Sequence, residues 1–521
     1  MKMTINSVAL DPLSKAKPIS PFIYGSFIEH IGNCIHNGLW CYKKPNVPLV
    51  QDVPLLKGGV RKDLLEAVKK LKLPILRAFG GCYADIYHWK DAIGPKNSRK
   101  KVQNLHWGVG TFGTMEGLGP DIENQFGTDE FLTLCEEIGA EPYLNVNYGS
   151  GTPEEAAEWV EYCNGPMDTE YGRLRADHGR KEPYNVKIWG IANEIYASWE
   201  KGYEEDPQDY AKKYVRFAKK MREKDSSLKL IAVGYDNSEW NQEVLKIIGE
   251  KWVDYLSIHR YLPRTSGASG GQKRRLNEKI YHSIMASTPL IRDYVLDTWN
   301  DITKVLGRDT HVRISFDEWG LWYLMKDVIS TNYNLMDGIW TSLVLMIFQQ
   351  MSDICPIANW AQLVNSIGII QTDPDGLILT PIYLAFKLFR DHTYGNVLDG
   401  VAVECETFSN KKLASIPKRE NVPYIACNAT INGAGDKIAI ILANTHFDRS
   451  LDISLKIDSV KIDKEGSRVT LTSENAFDFN TIGNRTKIQL TEKKVRNLSE
   501  EMSLQLDPHS VNVLKLSILR E

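Results

Sequence analysis

The alternation of short apolar runs with longer amphipathic runs predicts a (β/α)8 TIM barrel followed by an all-β sandwich of the jelly-roll type. Strand-like runs alternate with helix-like segments between about residues 20 and 392. That order is typical of parallel strands joined by crossover helices. After about residue 395 the pattern changes to strands alone, which indicates a separate domain.

Each predicted barrel strand is a short run rich in β-branched and aromatic residues. The runs are PFIYGSFIEH from Pro21, PILRAFG from Pro74, EPYLNVNYG from Glu141, VKIWGIANE from Val186, LKLIAVGY from Leu228, VDYLSIHRY from Val253, HVRISFDEW from His311 and IANWAQLVN from Ile357. They number eight, which is the number of parallel strands that closes this kind of barrel.

The predicted helices lie between these strands and carry apolar residues at helical spacing. They cover residues 61–72, 129–138, 153–163, 207–223, 242–249, 280–305, 336–351 and 381–390. One helix start is sharply marked. Thr152 can cap it, Pro153 suits its first position, and Glu155 can complete a capping box.

The C-terminal strands alternate apolar and polar residues, as half-buried antiparallel strands do. They are KIAIILANTHF, LDISLKI, SRVTLTS, TKIQLTE and SVNVLKL. The segment TINSVALD near the N-terminus also predicts a strand, and it can add to the sandwich. We therefore expect an N-terminal strand within residues 1–17, a barrel at 18–394 and a β-sandwich at 395–521.

Composition and charge exclude several classes of partner. Hydrophobic residues make up 43% of the 521 residues and charged residues 25%, with a net charge of −3. Such a balance offers no basic field for nucleic acid or for an anionic membrane surface. The N-terminus lacks the apolar core of a signal peptide, and no apolar stretch is long enough to span a bilayer. We expect a cytoplasmic protein whose eight cysteines are reduced thiols.

Two glutamates, Glu194 and Glu318, each directly follow a run of strand-type residues. Because burial disfavours a charged carboxylate, stability alone gives little reason to place two acids there. A single such glutamate could equally pair with an arginine or cap a helix, but two on matching strand ends favour catalysis.

The carboxyl ends of all barrel strands open on one face, so polar residues that end different strands converge there. The candidates are Glu29, Arg77, Asn147, Asn193, Glu194, His259, Tyr261, Glu318 and Gln362, with Trp189, Trp199, Trp319 and Trp322 nearby in sequence. Carboxylates, amides and tryptophans together predict a sugar site, because aromatic rings cover C–H faces while polar groups fix hydroxyls.

A pair of carboxylic acids is what a glycosidase needs, one to protonate the leaving oxygen and one to attack or to activate water. This chemistry requires no cofactor. A carbohydrate-binding barrel without catalytic activity is the alternative from another class.

Two further motifs and one long connection need an interpretation. EHIGNCIH at residues 29–36 matches no zinc signature, and His30 would point away from Glu29, so we expect no metal. Residues 108–113, GVGTFG, neither follow a strand nor open a helix, which excludes a dinucleotide-binding loop.

The connection at 86–126 carries Trp89, Trp107 and Phe112, and predicts either a substrate-selecting rim or a surface excursion without a role.

Several motifs together resemble glycoside hydrolase family 51, the α-L-arabinofuranosidases, in the large clan of retaining (β/α)8 enzymes. The motifs run nearly from end to end of the chain. They are IYGSFIEHIG (23–32), LRAFGG (76–81), DAIGP (91–95), AEWVEYCN (157–164), IWGIANE (188–194), SIHRYL (257–262), ISFDEWGLWY (314–323) and AQLVN (361–365).

The resemblance implies a retaining, exo-acting hydrolase that releases terminal α-L-arabinofuranosyl residues from arabinan and arabinoxylan fragments. It makes Glu194 the general acid/base, Glu318 the nucleophile, and Asn193 the residue that holds the sugar 2-hydroxyl. The other positions that fall on the family's furanose pocket and its support are Glu29, Arg77, Cys82, His259, Tyr261, Trp322 and Gln362. Family members often form hexamers, so the resemblance also implies a homo-oligomer.

The chain departs from the family's common residues at positions beside the predicted site. It has Phe79 before Gly80-Gly81 where members commonly have proline, Ala192 before Asn193-Glu194 where glycine is common, and Gly320 after Glu318-Trp319 where asparagine is common. IYASWEKG at 195–202 also differs from the commoner MDGPWQ type. These changes leave open a substrate such as a β-D-galactofuranoside or β-D-xyloside, or cleavage of internal bonds of a β-glucan.

Overall fold

A closed barrel of eight parallel strands forms the larger part of the protein, whose computed structural model describes residues 6–108, 119, 121–263, 276–323 and 332–519. Two short strands precede it, β1 (Asn6–Leu10) and β2 (Ala16–Pro18). The barrel strands are β3 (Gly25–Phe27), β4 (Ile75–Ala78), β5 (Glu141–Val146), β6 (Ile188–Ile191), β7 (Lys229–Val233), β8 (Tyr255–Pro263), β9 (Arg313–Trp322) and β10 (Ile357–Trp360). Strand β10 pairs with β3 and closes the barrel, which confirms the predicted fold class.

Helices connect the barrel strands. They are α1 (Lys62–Leu71), α2 (Thr128–Ile138), α3 (Pro153–Asn164), α4 (Glu170–Asp177), α5 (Pro207–Lys224), α6 (Ser238–Trp252), α7 (Glu278–Met285), α8 (Pro289–Leu306), α9 (Leu335–Gln350) and α10 (Pro381–His392). Short 3-10 helices lie at Pro21–Tyr24, Cys82–Ile86, Trp89–Ala92 and Lys96–Ser98. No helix in the described residues is both long and apolar enough to cross a membrane.

Three helix predictions need correction. The single helix expected at 280–305 is two helices, α7 and α8, because Pro289 begins a new helix and cannot continue the first. Helix α6 begins earlier than predicted, since Asn237 caps it through the backbone N–H groups of Glu239 and Trp240. Thr152 caps α3 as expected, but the Glu155 carboxylate contacts His88 rather than completing a capping box.

The second part of the chain is a β-sandwich that β1 joins. Between β10 and α10, strands β11 (Ile370–Asp373) and β12 (Gly376–Leu379) form a separate pair. After α10 come β13 (Asn396–Leu398), β14 (Val401–Glu404), β15 (Thr407–Phe408), β16 (Val422–Pro423), β17 (Ile425–Ile431), β18 (Lys437–Asn444), β19 (Leu451–Ile457), β20 (Lys461–Leu471), β21 (Thr491–Arg496), β22 (Glu501–Leu506) and β23 (Ser510–Leu519), of which β15 and β16 pair only with each other. The two main sheets have the orders β14-β1-β19-β22 and β2-β13-β17-β18-β23-β20-β21.

Strand β18 shows how the sandwich is fixed against the barrel. Ile438, Ile440 and Leu442 point into the core between the two sheets. The alternate residues Ala439, Ile441 and Ala443 pack into the large core that includes α9 and α10. Because side chains alternate along a strand, this continuously apolar run is buried on both faces.

The predicted strand TKIQLTE is wrong over most of its length, because regular pairing begins only at Thr491 in β21. Strands β17 and β22 belong to the sandwich although no strand was predicted there.

The interior of the barrel is layered, and this layering positions the site. Ile75, Tyr143, Ile188, Ile231 and Ile357 pack together as an inner cluster. Residues two positions further along a strand point to the same side, one layer nearer the carboxyl ends. Polar side chains such as Arg77 on β4 and Asn145 on β5 occupy that layer, and they are almost completely buried.

Candidate active site

Each of the three nitrogens of the Arg77 guanidinium donates a hydrogen bond to a residue on, or just after, a different barrel strand. Nη1 donates to Glu318 Oε1 at 2.8 Å, Nη2 to Asn193 Oδ1 at 2.8 Å and Nε to Asn145 Oδ1 at 3.0 Å. The side chain is only 1% exposed. A planar fork of donors in a fixed orientation determines where its acceptors lie, so Arg77 sets the position of Glu318.

Glu318 on β9 is held from both sides. Its Oε2 accepts a hydrogen bond from the Tyr261 hydroxyl at 2.6 Å, opposite the contact with Arg77. His259 lies directly across from it in the register of β8 and β9, with Nδ1 at 3.6 Å from Oε2. The carboxylate therefore has one orientation, fixed by charge-assisted hydrogen bonds.

Glu194 lies just beyond the end of β6 and is tied to the same histidine. His259 Nδ1 lies 2.9 Å from Glu194 Oε1, and Ser257 Oγ lies 3.2 Å from Nε2 of the ring. Burial lowers the pKa of His259, but the Glu318 and Glu194 carboxylates outweigh burial and raise it above its ordinary value. His259 therefore bridges the two glutamates, and an oxygen of each carboxylate lies within 4.8 Å of the other.

A third glutamate, Glu29, forms another wall. Gln362 Nε2 donates to Oε1 at 2.9 Å, while Trp107 Nε1 and the Tyr83 N–H donate to Oε2 at 3.2 and 3.3 Å. Burial raises the pKa of Glu29 to about 8, and the nearby Glu318 carboxylate adds to the rise. Glu29 is therefore a neutral carboxylic acid at neutral pH, able to donate one hydrogen bond.

These residues surround one small cavity of about 100 Å³ at the carboxyl end of the barrel. Its walls are Glu29, Ile31, Gly81, Cys82, Trp107, Glu194, Trp199, Tyr261, Glu318, Trp322, Gln362 and Ile367. Trp322 packs edge-on against Tyr261, with ring centroids 5.2 Å apart. The cavity combines carboxylates with aromatic faces, which is the chemistry that a single sugar ring requires.

The structure brings most of the predicted site residues together. Glu29, Cys82, Glu194, Tyr261, Glu318, Trp322 and Gln362 line the cavity. Arg77 and His259 contact the glutamates, and Asn193 accepts a hydrogen bond from Arg77. Asn147 instead bonds to Ser150, away from this cavity. Trp189 and Trp319 are fully buried in the core and line no part of it.

Of the described residues in the long connection at 86–126, one lies in the cavity wall. Trp107 reaches Glu29, whereas Trp89 is buried and stacks on Trp159. Phe112 and residues 109–113 of the glycine motif lie outside the described residues.

Two buried groups that support the site were missed by the sequence reasoning. Asp85, in the 3-10 helix after β4, accepts hydrogen bonds from the backbone N–H groups of Tyr148, Gly149 and Asn193. Burial raises its pKa to about 6. Asn145 lies two residues before Asn147 on β5, and the strand period of two could have identified it as facing the same side. No local pattern marks Asp85.

The residues that depart from the family's common sequence also border the site. Phe79 is fully buried and stacks on Tyr87 at 4.3 Å between ring centroids. Ala192 has φ of 80°, a left-handed conformation in which glycine is favoured. A side chain at Gly320 would contact Trp360, since a Cβ there lies 3.3 Å from that ring. All three lie behind the cavity wall rather than on it.

The segment 29–36, considered as a metal motif, does not assemble as one. His30 is buried beside Tyr83 and Phe79, and burial lowers its pKa to about 3. Among the described residues two other groups of ligand-type atoms are close enough to hold a metal ion, namely Glu194 with His259 and Glu318, and Cys82 with His106 and Glu200.

Comparisons with known proteins cover almost the whole chain. Residues 67–277 match the family model described as alpha-L-arabinofuranosidase 1 domain, and residues 317–510 match the alpha-L-arabinofuranosidase C-terminal domain. An intracellular exo-alpha-L-arabinofuranosidase of Bacteroides ovatus is 33% identical over 95% of this chain and 92% of its own. Alpha-L-arabinofuranosidase C of Emericella nidulans is 30% identical over 94% and 93% of the two chains.

Solved structures give the same result. The alpha-L-arabinofuranosidase of Thermotoga maritima, in an arabinose complex, has a TM-score of 0.87 and 35% identity over 98% of this chain and 100% of that one. The GH51 enzyme of Thermotoga petrophila has a TM-score of 0.86 and 35% identity over 98% and 99%. With its barrel, its sandwich and its paired glutamates, the chain therefore belongs to glycoside hydrolase family 51, the α-L-arabinofuranosidases.

Proposed function

We propose that this protein is a retaining exo-α-L-arabinofuranosidase that releases terminal α-L-arabinofuranosyl residues from arabinan- and arabinoxylan-derived oligosaccharides. One observation carries the proposal. The carboxylates of Glu194 and Glu318 approach within 4.8 Å across a small cavity. Carboxyl groups about 5 Å apart suit double displacement, whereas inverting enzymes need a wider gap to admit water between acid and base.

In the first step, Glu318 acts as the nucleophile. A carboxylate oxygen forms a bond to the anomeric carbon as the bond to the leaving oxygen breaks, and Glu194 gives its proton to that oxygen. The sugar is left covalently bound to Glu318. Arg77 and Tyr261 support this role, because their hydrogen bonds hold the Glu318 carboxylate in one position at the cavity wall.

In the second step, Glu194 takes a proton from water, whose oxygen attacks the same carbon and releases Glu318. The sugar leaves with its original anomeric configuration. His259 lies between the two acids and hydrogen-bonds Glu194, so it positions the acid/base without entering either bond change. Asn193, held by Arg77, is placed to bind the 2-hydroxyl.

The size of the cavity supports release of a single terminal unit. Within the described residues, Glu29, Trp107 and Gln362 line one side of a cavity of about 100 Å³, which suits a single sugar unit. Glu29, neutral at pH 7, and Gln362 present hydrogen-bonding groups to ring hydroxyls. An enzyme that cuts internal bonds needs an open cleft instead.

The first experiment compares hydrolysis of the 4-nitrophenyl α-L-arabinofuranoside, β-D-galactofuranoside, β-D-xyloside and β-D-glucoside. We expect strong preference for the arabinofuranoside, loss of activity in Glu318→Ala, and no loss in a matched variant of the exposed Glu205, Glu205→Ala. Nuclear magnetic resonance of the first product should show the α anomer. Preference for another glycoside, or a β product, would refute the proposal.

Trapping separates an enzyme from a carbohydrate-binding barrel. A mechanism-based arabinofuranose inhibitor should label the peptide that contains Glu318, as detected by mass spectrometry. Sugar binding without any label would identify a binding protein instead.

We further propose a cytoplasmic homo-oligomer, with the chain divided into a strand at 1–17, a catalytic barrel at 18–394 and a sandwich at 395–521. The intracellular relative from Bacteroides ovatus supports the location, and the pairing of β1 with β19 supports the division. The oligomer rests on the family resemblance. Cell fractionation tests the location, and limited proteolysis tests the division into domains. Light scattering after gel filtration tests the oligomer, since a mass of 59.1 kDa would identify a monomer.

A further inference from the structure

A second group of ligand-type side chains lies beside the paired glutamates, formed by Cys82, His106 and Glu200. The thiol sulfur, an imidazole nitrogen and a carboxylate oxygen all lie within 4.8 Å of one another. The three residues are between 0% and 8% exposed. Cys82 also lines the cavity, so the group can be reached from solvent through it.

The three residues come from separate parts of the chain. Cys82 begins the 3-10 helix after β4, His106 belongs to the 86–126 connection, and Glu200 follows the loop that carries Glu194. Glu200 lies in the IYASWEKG segment, where the chain differs from the commoner MDGPWQ type.

Glu200 is unusual among the buried acids. Neither of its carboxylate oxygens has a nitrogen or oxygen hydrogen-bond partner in the described part of the chain, and its hydrogen-bonding neighbour is the Cys82 thiol. A buried carboxyl group without such partners costs several kcal/mol unless another group satisfies it. The Glu194 and Asp85 carboxyl groups lie near it, and their negative charge when ionised favours a cation rather than an anion.

We propose that Cys82, His106 and Glu200 form a binding site for a divalent cation of the zinc type. Sulfur, imidazole nitrogen and carboxylate oxygen are the donors that such ions prefer, and three protein ligands leave one position open. Coordinated thiolate and carboxylate carry two negative charges, which neutralise the divalent ion in the buried site. The thiol proton leaves to solvent on binding, together with any proton held by the Glu200 carboxyl.

Occupancy of this site inhibits the enzyme, because the ion is coordinated by Cys82, which lines the substrate cavity together with Glu194. That consequence rests on the proposed function, whereas cation binding itself does not. A competing location is the group of Glu194, His259 and Glu318, whose donor atoms also lie within 4.8 Å of one another. It contains no sulfur, and this difference allows the two to be distinguished.

Titration of the full chain with Co²⁺ tests the proposal by absorbance. We expect a thiolate-to-cobalt charge-transfer band in the near ultraviolet that saturates at one equivalent. Cys82→Ser should abolish the band, and Glu200→Gln should weaken cobalt binding by about tenfold or more. Cys135→Ser, which changes a buried cysteine on α2, should retain the band unchanged.

Cobalt binding without a thiolate band would place the ion at the catalytic glutamates and overturn the proposal, as would a band that survives in Cys82→Ser. If Cys82→Ser does not fold, Glu200→Gln carries the test through Zn²⁺-dependent thermal stability. Zn²⁺ should raise the Tm of the wild type more than that of Glu200→Gln, and equal shifts would refute the site.

Activity supplies a separate readout. Zn²⁺ should inhibit arabinofuranoside hydrolysis reversibly, with EDTA restoring the rate, and Glu200→Gln should need at least about tenfold more Zn²⁺ for the same inhibition. Equal sensitivity of the two proteins would remove the inhibitory role. If the chain hydrolysed no arabinofuranoside, the cobalt band would still appear, so failure of the proposed function is distinguishable from failure of the cation site.

Discussion

Arg77 and Glu318 form a buried ion pair, with Nη1 of the guanidinium 2.8 Å from Oε1 of the carboxylate and side-chain exposures of 1% and 6%. Both charges are largely shielded from water, so each depends on the other. Removing one partner of such a pair typically destabilises a protein by about 3–5 kcal/mol, because a charge is left buried and unpaired. The pair therefore links the stability of the barrel to the position of the proposed nucleophile.

The first prediction concerns this pair. Arg77→Lys keeps the positive charge but loses the fork that also binds Asn145 and Asn193, so we expect kcat to fall by about 100-fold, as for a misplacement of about 1 Å. Steady-state kinetics measure the fall in kcat, and urea unfolding measures the loss of stability. As a control, Arg222→Lys alters a pair with Asp254 at the start of β8, distant from the cavity, and should lower stability without changing kcat.

A second prediction concerns the hydrogen bond from Tyr261 to Glu318. Tyr261→Phe removes only the hydroxyl, and since hydrogen bonds to charged groups contribute about 1.5–3 kcal/mol, we expect kcat/KM to fall about 10- to 100-fold. Tyr383→Phe is the matched control, because that hydroxyl donates to the backbone oxygen of Ala67 and contacts no carboxylate. Equal losses in both variants would mean that the Tyr261 hydroxyl has no special role.

The leaving group provides a test of Glu194. In Glu194→Gln the departing oxygen receives no proton, so hydrolysis of an arabino-oligosaccharide should fall by about 10²- to 10⁴-fold. A dinitrophenyl arabinofuranoside, whose leaving group needs no protonation, should be affected much less in the formation of the glycosyl–enzyme. Burst kinetics on the two substrates make the comparison. If Glu194→Gln slowed glycosidic bond cleavage equally for both substrates, Glu194 would not be the general acid.

Gly81 and Gly139 form a matched pair for testing the wall around Glu29. Both have φ of 70°, but a Cβ at Gly81 would lie 2.4 Å from the Glu29 carboxyl carbon, whereas a Cβ at Gly139 would meet nothing within 4 Å. Gly139 has ψ of 32°, in the left-handed helical region, so Gly139→Ala should lose about 1 kcal/mol of stability. Gly81 has ψ of −164°, in a region nearly restricted to glycine, so Gly81→Ala should lose more, up to about 3 kcal/mol. Only Gly81→Ala should also raise KM for the arabinofuranoside, by about tenfold or more, because Glu29 must move. An unchanged KM in Gly81→Ala would show that Glu29 does not contact substrate.

The raised pKa of Glu29 predicts a dependence of stability on pH. Between its ordinary pKa of 4.5 and the folded value of about 8, the native state holds a proton that the unfolded state has lost, so stability falls as pH rises through this window. The slope contributed by one such group is at most about 1.4 kcal/mol per pH unit. In Glu29→Gln this contribution is absent, so urea unfolding between pH 6 and 8 should show a flatter decline.

Other groups do not obscure that comparison. Asp85, with its pKa raised to about 6 by burial, contributes a decline that ends near pH 6. His259 also has a raised pKa, and its stabilising contribution is lost as pH rises through the folded value, but it is present in both proteins. Parallel declines in wild type and Glu29→Gln would show that Glu29 is ionised in the folded protein at neutral pH.

Local periodicity alone predicted the barrel, because each strand and helix carries its own spacing of apolar residues. The same periodicity located Glu194 and Glu318, since a polar residue that ends an apolar strand is visible without knowledge of its neighbours. It failed where the chain is less regular. Pro289 divides one predicted helix into two, and the strand at Thr491–Arg496 is mostly exposed and lacks a clear apolar face.

The amino-acid sequence by itself determined the order of the elements, the two acids at the strand ends, and the switch to a β-sandwich. Tertiary structure decided which side chains meet: His259 between the two glutamates, Trp107 on Glu29, Asp85 on the backbone of Asn193, and Glu200 beside Cys82. These contacts join residues from separate strands and loops. Their partners are set by the register and closure of the barrel, which depend on the packing of all eight strands at once and leave no mark in the local pattern of any one.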